Sequence, residues 1–306
     1  MRSLESNGRS LGIDIGGTKL LATVLEADGT TSFSRKYPTG RVFSPTDCVR
    51  TIRQAVNDSV AETGDLVGIG IGFPGLVDPR AGSVRSSVIL NGWDNVALTS
   101  LVTAATGLPC GIDNDVNQAA RAELPVRDAD SFFFVAAGTG IGGAVVLDGK
   151  VWPGVSGLAG EFGHICIDRE GADCICGRRG CVGPYAGGEG IEQRLGIEPG
   201  TLADFMQSNP DVANEALTEA GTALGSAIAS IMNVMNVGLV VLGGGLAMLE
   251  PYRSAVETAA RNEAFDEIQA DCSFEVSTAG YEAGATGAAL QGREVASAQT
   301  IKLKIA

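Results

Sequence analysis

Apolar residues fall along the chain in short runs punctuated by glycine turns, and these runs predict two rounds of strands followed by helices. Residues 10–14 read as a buried strand and 19–26 as a second one, joined by the tight turn at Gly16-Gly17. Ala27-Asp28-Gly29-Thr30 is a hairpin turn into a third strand over 31–37. Over 46–62, Val49, Ile52, Val56 and Val60 recur at helical spacing, with Thr46 or Asp47 as the cap. A buried strand over 66–73 stops at Pro74-Gly75. A helix over 95–106, a strand over 110–113 and a helix over 116–123 complete a β-β-β-α-β-α-β-α order.

The second round opens with an apolar strand over 132–137, which Gly138-Thr139-Gly140-Ile141-Gly142-Gly143 turns into another over 144–147. Asp148-Gly149 makes the next hairpin turn, and a cysteine-bearing loop follows. A helical stretch over 191–236 leads to a buried strand over 237–242 that ends in Gly243-Gly244-Gly245. A helix near 252–263, a strand near 273–277 and a closing helix from Glu282 finish the chain. Two rounds of strand, glycine turn and strand, each followed by helices, predict a duplicated α/β architecture with a cleft between lobes.

Composition narrows the function classes. A chain of 306 residues is long enough for two lobes, and 44% hydrophobic with 19% charged residues describes a globular protein. A net charge of −14 argues against a nucleic-acid partner, whose phosphates it would repel. Residues 1–10 are polar, without the apolar segment of a secretory signal. No stretch reaches the roughly 18 apolar residues of a membrane span, so no membrane partner is expected. Seven cysteines, three of them spaced as metal ligands, predict a reducing compartment, the cytoplasm. The 43 glycines cluster at strand ends, where backbone approaches a ligand.

The chemistry begins with a single histidine. His164 lies ten residues ahead of Cys174, in a run that continues through Cys176 to Cys181. Three thiolates and one imidazole make a closed tetrahedral set for structural zinc, and glycines in the spacer let the loop turn back on one ion. Glu161, three residues before the histidine, places this loop beside a binding site.

Three glycine turns are candidates for phosphate. Gly12-Ile13-Asp14-Ile15-Gly16-Gly17-Thr18-Lys19 misses the P-loop pattern at its last two positions and leads into a strand. It still offers backbone N–H groups at Gly16 and Gly17, the Thr18 hydroxyl and the Lys19 ammonium, while Asp14 can hold Mg2+ directly or through water. A plain hairpin turn is the other reading. Gly138, Thr139 and Gly140 open a G-x-G-x-x-G pattern, but a dinucleotide site needs a helix next and a strand follows. Two such turns at matching places fit a clamp on one nucleotide's phosphates. Gly243 and Gly244 offer an adenosine surface or simply a connection. In Asp113-Asn114-Asp115 one carboxylate caps a helix, or Asp115 accepts a hydroxyl proton while Asn114 orients the same substrate.

Taken in order, these motifs resemble the ROK-family sugar kinases, a glucokinase-like branch of the actin-like ATPases. The matching segments are Asp14 through Lys19, Pro74-Gly75-Leu76-Val77-Asp78, Asn114-Asp115, Gly138 through Gly143, Glu161 through His164, the three cysteines, Gly243 through Gly245, and Ala283-Gly-Ala-Thr-Gly-Ala-Ala289. The resemblance implies a two-lobed, ribonuclease H-like α/β fold with duplicated βββαβαβα lobes and ATP with Mg2+ in the interlobe cleft. It implies a small lobe over 1–116, completed by the last helix over about 291–306, and a large lobe over 117–290 that contains the zinc loop 161–183. By the same resemblance Asp115 activates a hexose 6-hydroxyl, and Asn114, Glu161 and His164 contact sugar hydroxyls. His164 then serves both zinc and sugar. A homodimer or higher oligomer is common in such families.

One position departs from the family pattern. Such kinases usually carry glutamate two residues after the last zinc cysteine, where this chain has Gly183. Losing one charge-assisted hydrogen bond costs about 1.5–3 kcal/mol if nothing replaces it. The expected activity is ATP-dependent phosphorylation of a hexose at its 6-hydroxyl. Beside glucose stand an amino sugar such as kanosamine or an N-acetylhexosamine, and beside catalysis stands a non-catalytic sugar sensor. A sugar-binding repressor of this family carries an N-terminal DNA-binding fold, for which the roughly ten residues before the first strand are too few.

Overall fold

Two five-stranded sheets of the same topology organise the computed structural model, which describes residues 8–39 and 42–305. The chain divides into two units, Met1–Arg127 with Pro153–Ala159 and Tyr281–Ala306, and Asp128–Trp152 with Gly160–Gly280.

In the first unit β1 (Arg9–Ile15), β2 (Lys19–Leu25) and β3 (Thr31–Pro38) form an antiparallel meander. Helix α1 (Pro45–Thr63) crosses to β4 (Leu66–Phe73), which pairs parallel with β1. A small hairpin, β5 (Leu76–Asp78) and β6 (Ser83–Ser86), and helix α2 (Leu98–Thr106) precede β7 (Cys110–Asn114), parallel to β4, and helix α3 (Asp115–Glu123). The sheet order is β3-β2-β1-β4-β7. Strands β2 and β4 are buried along nearly their whole length, as expected of a sheet covered on both faces.

The second unit repeats the plan. β8 (Phe132–Ala137), β9 (Ile141–Leu147) and β10 (Lys150–Val151) are antiparallel. Helices α4 (Gly183–Ala186), α5 (Gly188–Leu195), α6 (Leu202–Ser208) and α7 (Pro210–Met235) lead to β11 (Leu239–Gly243), parallel to β8. Helices α8 (Glu250–Glu263) and α9 (Asp266–Ala270) lead to β12 (Ser273–Val276), parallel to β11, for an order β10-β9-β8-β11-β12. Helix α10 (Ala283–Ile305) then returns to the first unit.

Four readings of the sequence need correction. The strand expected over 144–147 begins at Ile141, because Ile141, Gly142 and Gly143 already pair with β8. The cap of α1 is Ser44, whose hydroxyl accepts from the Asp47 N–H at 3.2 Å, with Pro45 as the first helical residue, so neither Thr46 nor Asp47 caps it. The helical stretch over 191–236 is three helices, broken where Gly196 adopts φ +65° and again at Asn209-Pro210. The helix expected from residue 95 begins at Leu98, after Asn95 in a left-handed conformation (φ +54°). The β5–β6 hairpin is an addition to the expected element order.

Many of the glycines serve packing. Alternate residues of β1 and β4 point to opposite faces. Leu11, Ile13, Ile69 and Ile71 join the core that contains Ile52 of α1. Gly12 and Gly70 face α10: a Cβ at either would stand 1.8 Å from the carbonyl oxygen of Ala285 or Ala288 respectively. On the helix side, a Cβ at Gly287 would stand 1.7 Å from the Gln118 carbonyl of α3. Helix α10 therefore seats directly on strand and helix backbone, closer than any side chain allows. That seating brings its first turn to the end of β1.

Candidate active site

In the first unit the candidate residues gather where parallel strands end. Asp14 is the penultimate residue of β1, Asn114 closes β7, and Asp115 opens α3. Between them lies Gly72 of β4, in register with Asp14 on one side and Asp113 on the other. A Cβ there would meet Asp14 Oδ1 at 3.4 Å and the Asp115 Cα at 3.5 Å, so the glycine leaves the two acidic residues a shared space. Gly284 in the first turn of α10 does the same from above, since its Cβ would stand 2.8 Å from Asp14 Cγ. Burial pushes the Asp14 carboxyl up to about 6, against the attraction of the Lys19 ammonium. A carboxylate held in this way is a ready ligand for a hard cation, whose charge would reverse the shift.

The turn after Asp14 is closed by Gly16 N–H donating to the Lys19 carbonyl at 2.9 Å. Thr39, which the sequence reading did not single out, braces it by donating its N–H to the Thr18 carbonyl at 3.2 Å. Gly17, Thr18 and Lys19 remain exposed.

Asn114, not a carboxylate, caps α3: its Oδ1 accepts from the Val116 N–H at 2.9 Å, and its Nδ2 donates to the Gly75 carbonyl at 3.2 Å. Asp115 Oδ1 also accepts from the Val116 N–H, at 3.0 Å. Behind them a buried polar set fixes the strand end. Asp113 accepts from Asn114 N–H at 2.9 Å and from Asn117 Nδ2 at 2.7 Å, with Arg121 Nη2 3.5 Å away. Burial raises Asp113 above its ordinary range, and Arg121 and the two donors partly offset this. Gln118 donates to the Ile71 carbonyl at 3.0 Å and to Gln291 of α10 at 2.7 Å. The sequence signal for this set was available only as polar residues at helical spacing in α3.

In the second unit two glycine turns lie side by side. Gly138–Gly140 follows β8, while Gly243 closes β11, its parallel neighbour, and Gly244 follows it. Gly244 has φ +86°, and its Cβ would stand 2.2 Å from the Ala137 carbonyl oxygen. The carbonyls of Gly138 and Thr139 accept from the N–H groups of Gly188 and Glu189 at 2.9 and 3.0 Å, pinning that turn to the start of α5. Carboxyl ends of parallel strands are where ligands bind in open α/β sheets.

The same unit holds the cysteine cluster. Glu161 precedes a 3-10 turn, Phe162–His164, anchored by Phe162 edge-on to Phe133 at 5.1 Å and by Gly163, whose Cβ would stand 2.1 Å from the Ile141 carbonyl oxygen. The ligand atoms of His164, Cys174, Cys176 and Cys181 all lie within 4.8 Å of one another. Cys174 Sγ is 3.4 Å from His164 Nδ1, and Cys176 Sγ is 3.7 Å from Cys181 Sγ. Tetrahedral zinc with its usual bond lengths separates sulfur from nitrogen by about 3.5 Å and sulfur from sulfur by about 3.8 Å, close to these two separations. Burial pushes the Cys181 thiol up to about 12, whereas the Arg178 N–H lowers exposed Cys176. A metal would displace both protons. With Nδ1 toward the cysteines, His164 Nε2 faces Glu161 Oε2 at 3.9 Å. The Glu161 carboxyl is raised by loss of solvent, only partly offset by His164. Its side chain is still 44% exposed, which limits the energetic weight of that shift.

The ROK family profile matches residues 10–294. A glucokinase from Halalkalibacterium halodurans is 29% identical over 311 aligned positions, covering 90% of this chain and 92% of that one. An N-acetylmannosamine kinase from Escherichia coli is 32% identical over 291, covering 92% and 97%. The crystal structure of a ROK-family glucokinase from Streptomyces griseus in complex with glucose and AMPPNP superposes with a TM-score of 0.77 at 26% identity, covering 94% of this chain and all of that one (100%). The duplicated sheets are thus those of the actin-like ATPase fold. Among the described residues no helix is long and apolar enough to cross a membrane.

Proposed function

The chain belongs to the ROK family, and on that footing we propose that it transfers the terminal phosphoryl group of ATP to the 6-hydroxyl of a hexose. The observation that carries this reading is the pair of acidic residues, Asp14 and Asp115, set on either side of Gly72 at the ends of parallel strands. Phosphoryl transfer needs a proton acceptor beside the nucleophile and a cation beside the phosphates, and little else in covalent chemistry.

Asp115 takes the proton of the sugar hydroxyl. Asn114 is held by its own cap, which leaves one amide N–H for a sugar oxygen. Glu161 and His164 contact further hydroxyls. Asp14 holds Mg2+, which supplies charge neutralisation to the phosphates when bound. Lys19 and the N–H groups of Gly17 and Thr18 take up phosphate oxygens, as do those of Thr139 and Gly140, the Gly16 and Gly138 N–H groups being engaged by the Lys19 and Gly140 carbonyls, while Gly243 and Gly244 line the adenosine. His164, Cys174, Cys176 and Cys181 would hold zinc, which would fix the imidazole ring; Nδ1 faces the cysteines and Nε2 faces Glu161. A reducing cytoplasm fits three thiolate ligands and seven cysteines free of disulfides.

Gly183 opens α4 with its Cβ position 3.2 Å from the Gly163 carbonyl oxygen, one residue before His164. The hexose is glucose or, in the alternative, an amino or N-acetylamino sugar. Asp115→Asn tests the reading: phosphorylation should fall by at least a thousandfold while sugar binding stays measurable by calorimetry. Retained turnover would remove Asp115 from the role of base.

A further inference from the structure

Lys19 is not the only cation at its end of the sheet. Its Nζ stands 4.8 Å from the centroid of the Tyr281 ring, and Lys36 Nζ stands 4.7 Å from the same centroid. Lys36 lies on β3 opposite Leu21, two residues along from Lys19 on the same face of the sheet. Two ammonium groups therefore meet at one ring. The chain has 36 acidic against 22 basic residues, so such a convergence runs against its composition.

Each lysine is held there by a contact that is weak at an exposed site, and the Tyr281 ring is 59% exposed. A phosphate oxygen is a stronger partner for an ammonium than a ring face, and the flexible four-carbon stems let both lysines turn to it. The surroundings favour an anion. Two residues beyond Tyr281 begins the 23-residue α10, with its positive dipole end at Ala283 and Gly284. The neighbouring carboxylate of Glu282 is engaged by the Ser34 hydroxyl at 2.6 Å. The Asp14 carboxyl, which Lys19 attracts, lies against Gly284.

We propose that Lys19 and Lys36 grip one linear polyphosphate chain across Tyr281, making Lys36 a donor-binding residue outside every glycine motif of the sequence. The chain is the tail of a nucleoside triphosphate or an inorganic polyphosphate. The assignment deepens the kinase reading and rests on it for the chain's role as phosphoryl donor.

The test is calorimetric titration of the full-length protein with tripolyphosphate, long-chain polyphosphate and Mg-ATP at low and high salt. Wild type is compared with Lys36→Gln and Lys36→Arg, each checked for folding by circular dichroism. Lys36→Gln should weaken tripolyphosphate binding about tenfold at low salt and less at high salt, where screening shortens the lysine's reach, and Lys36→Arg should restore most of it. Loss extending to Mg-ATP assigns the site to the nucleotide tail. Loss confined to the inorganic chains assigns it to inorganic polyphosphate. Unchanged affinity of Lys36→Gln for all three overturns the proposal. Sugar phosphorylation assayed alongside separates the two readings: normal turnover with an unchanged KM for both Mg-ATP and long-chain polyphosphate in Lys36→Gln defeats this assignment alone. Tripolyphosphate binding that depends on Lys36 in a protein that phosphorylates no sugar defeats the kinase reading alone.

Discussion

Asp14→Asn should make the metal-free protein more stable and, at the same time, inactive. The carboxyl of Asp14 is raised from 3.8 to about 6 by burial, which outweighs the nearby Lys19. A raised carboxyl binds its proton more tightly in the folded state, so its stabilising contribution is complete below pH 4 and is lost as pH rises through 6. At about 1.4 kcal/mol per pH unit of difference, keeping Asp14 ionised at pH 8 costs the fold about 3 kcal/mol. Asparagine has nearly the same shape and no charge, and so escapes that cost. Urea unfolding in the presence of a chelator reads the difference. Trp93, 1% exposed and 4.6 Å from Phe73, reports on the first unit, whereas Trp152 is already 47% exposed. Asp14→Asn should gain up to about 3 kcal/mol at pH 8 and nothing at pH 4. Millimolar Mg2+ should stabilise the wild type and leave the variant unmoved. A variant no more stable than wild type at pH 8 would refute the argument that a partly buried, ionised Asp14 is held at a cost for the sake of its ligand.

Gly70→Ala would place a methyl group 1.8 Å from the Ala288 carbonyl oxygen, so α10 must lift from β4. Unfolding should show a loss of about 3 kcal/mol or more, and a loss under about 1 kcal/mol would mean that the helix is not seated on backbone. Cys176→Ser should leave the purified protein short of zinc by elemental analysis and lower its melting temperature, because metal affinity and loop folding are one free energy. Wild-type protein without zinc would remove the metal centre from the account.

The order of elements was legible in the sequence, including the repetition that now appears as two sheets of matching topology. It was legible because buried strands between glycine turns leave apolar runs that need no tertiary information. The misread boundaries had local signals that apolar periodicity alone overlooks. Ser44-Pro45 marks the start of α1, and Pro199-Gly200 and Asn209-Pro210 interrupt the long helical stretch. The glycines of β1, β4 and α10 were harder, since a glycine spared for a ligand and one spared for a neighbouring backbone look alike until the neighbour is placed. Gly12 and Gly70 belong to the second kind. The clustering of His164 with Cys174, Cys176 and Cys181 was legible because their residue types and spacing carry metal-ligand chemistry. Lys36 was not, because its partner Tyr281 is remote in sequence and meets it only once α10 has docked.

The central claim is that this chain phosphorylates a sugar, and the most direct measurement is sugar-dependent ADP formation from Mg-ATP by the zinc-loaded protein. The panel is glucose, mannose, fructose, their 2-amino and N-acetyl forms, and kanosamine. At least one of these sugars should stimulate ADP formation far above the sugar-free rate, and Asp115→Asn should abolish the stimulation. Folded, zinc-loaded protein that forms no ADP with any of these sugars would contradict the claim.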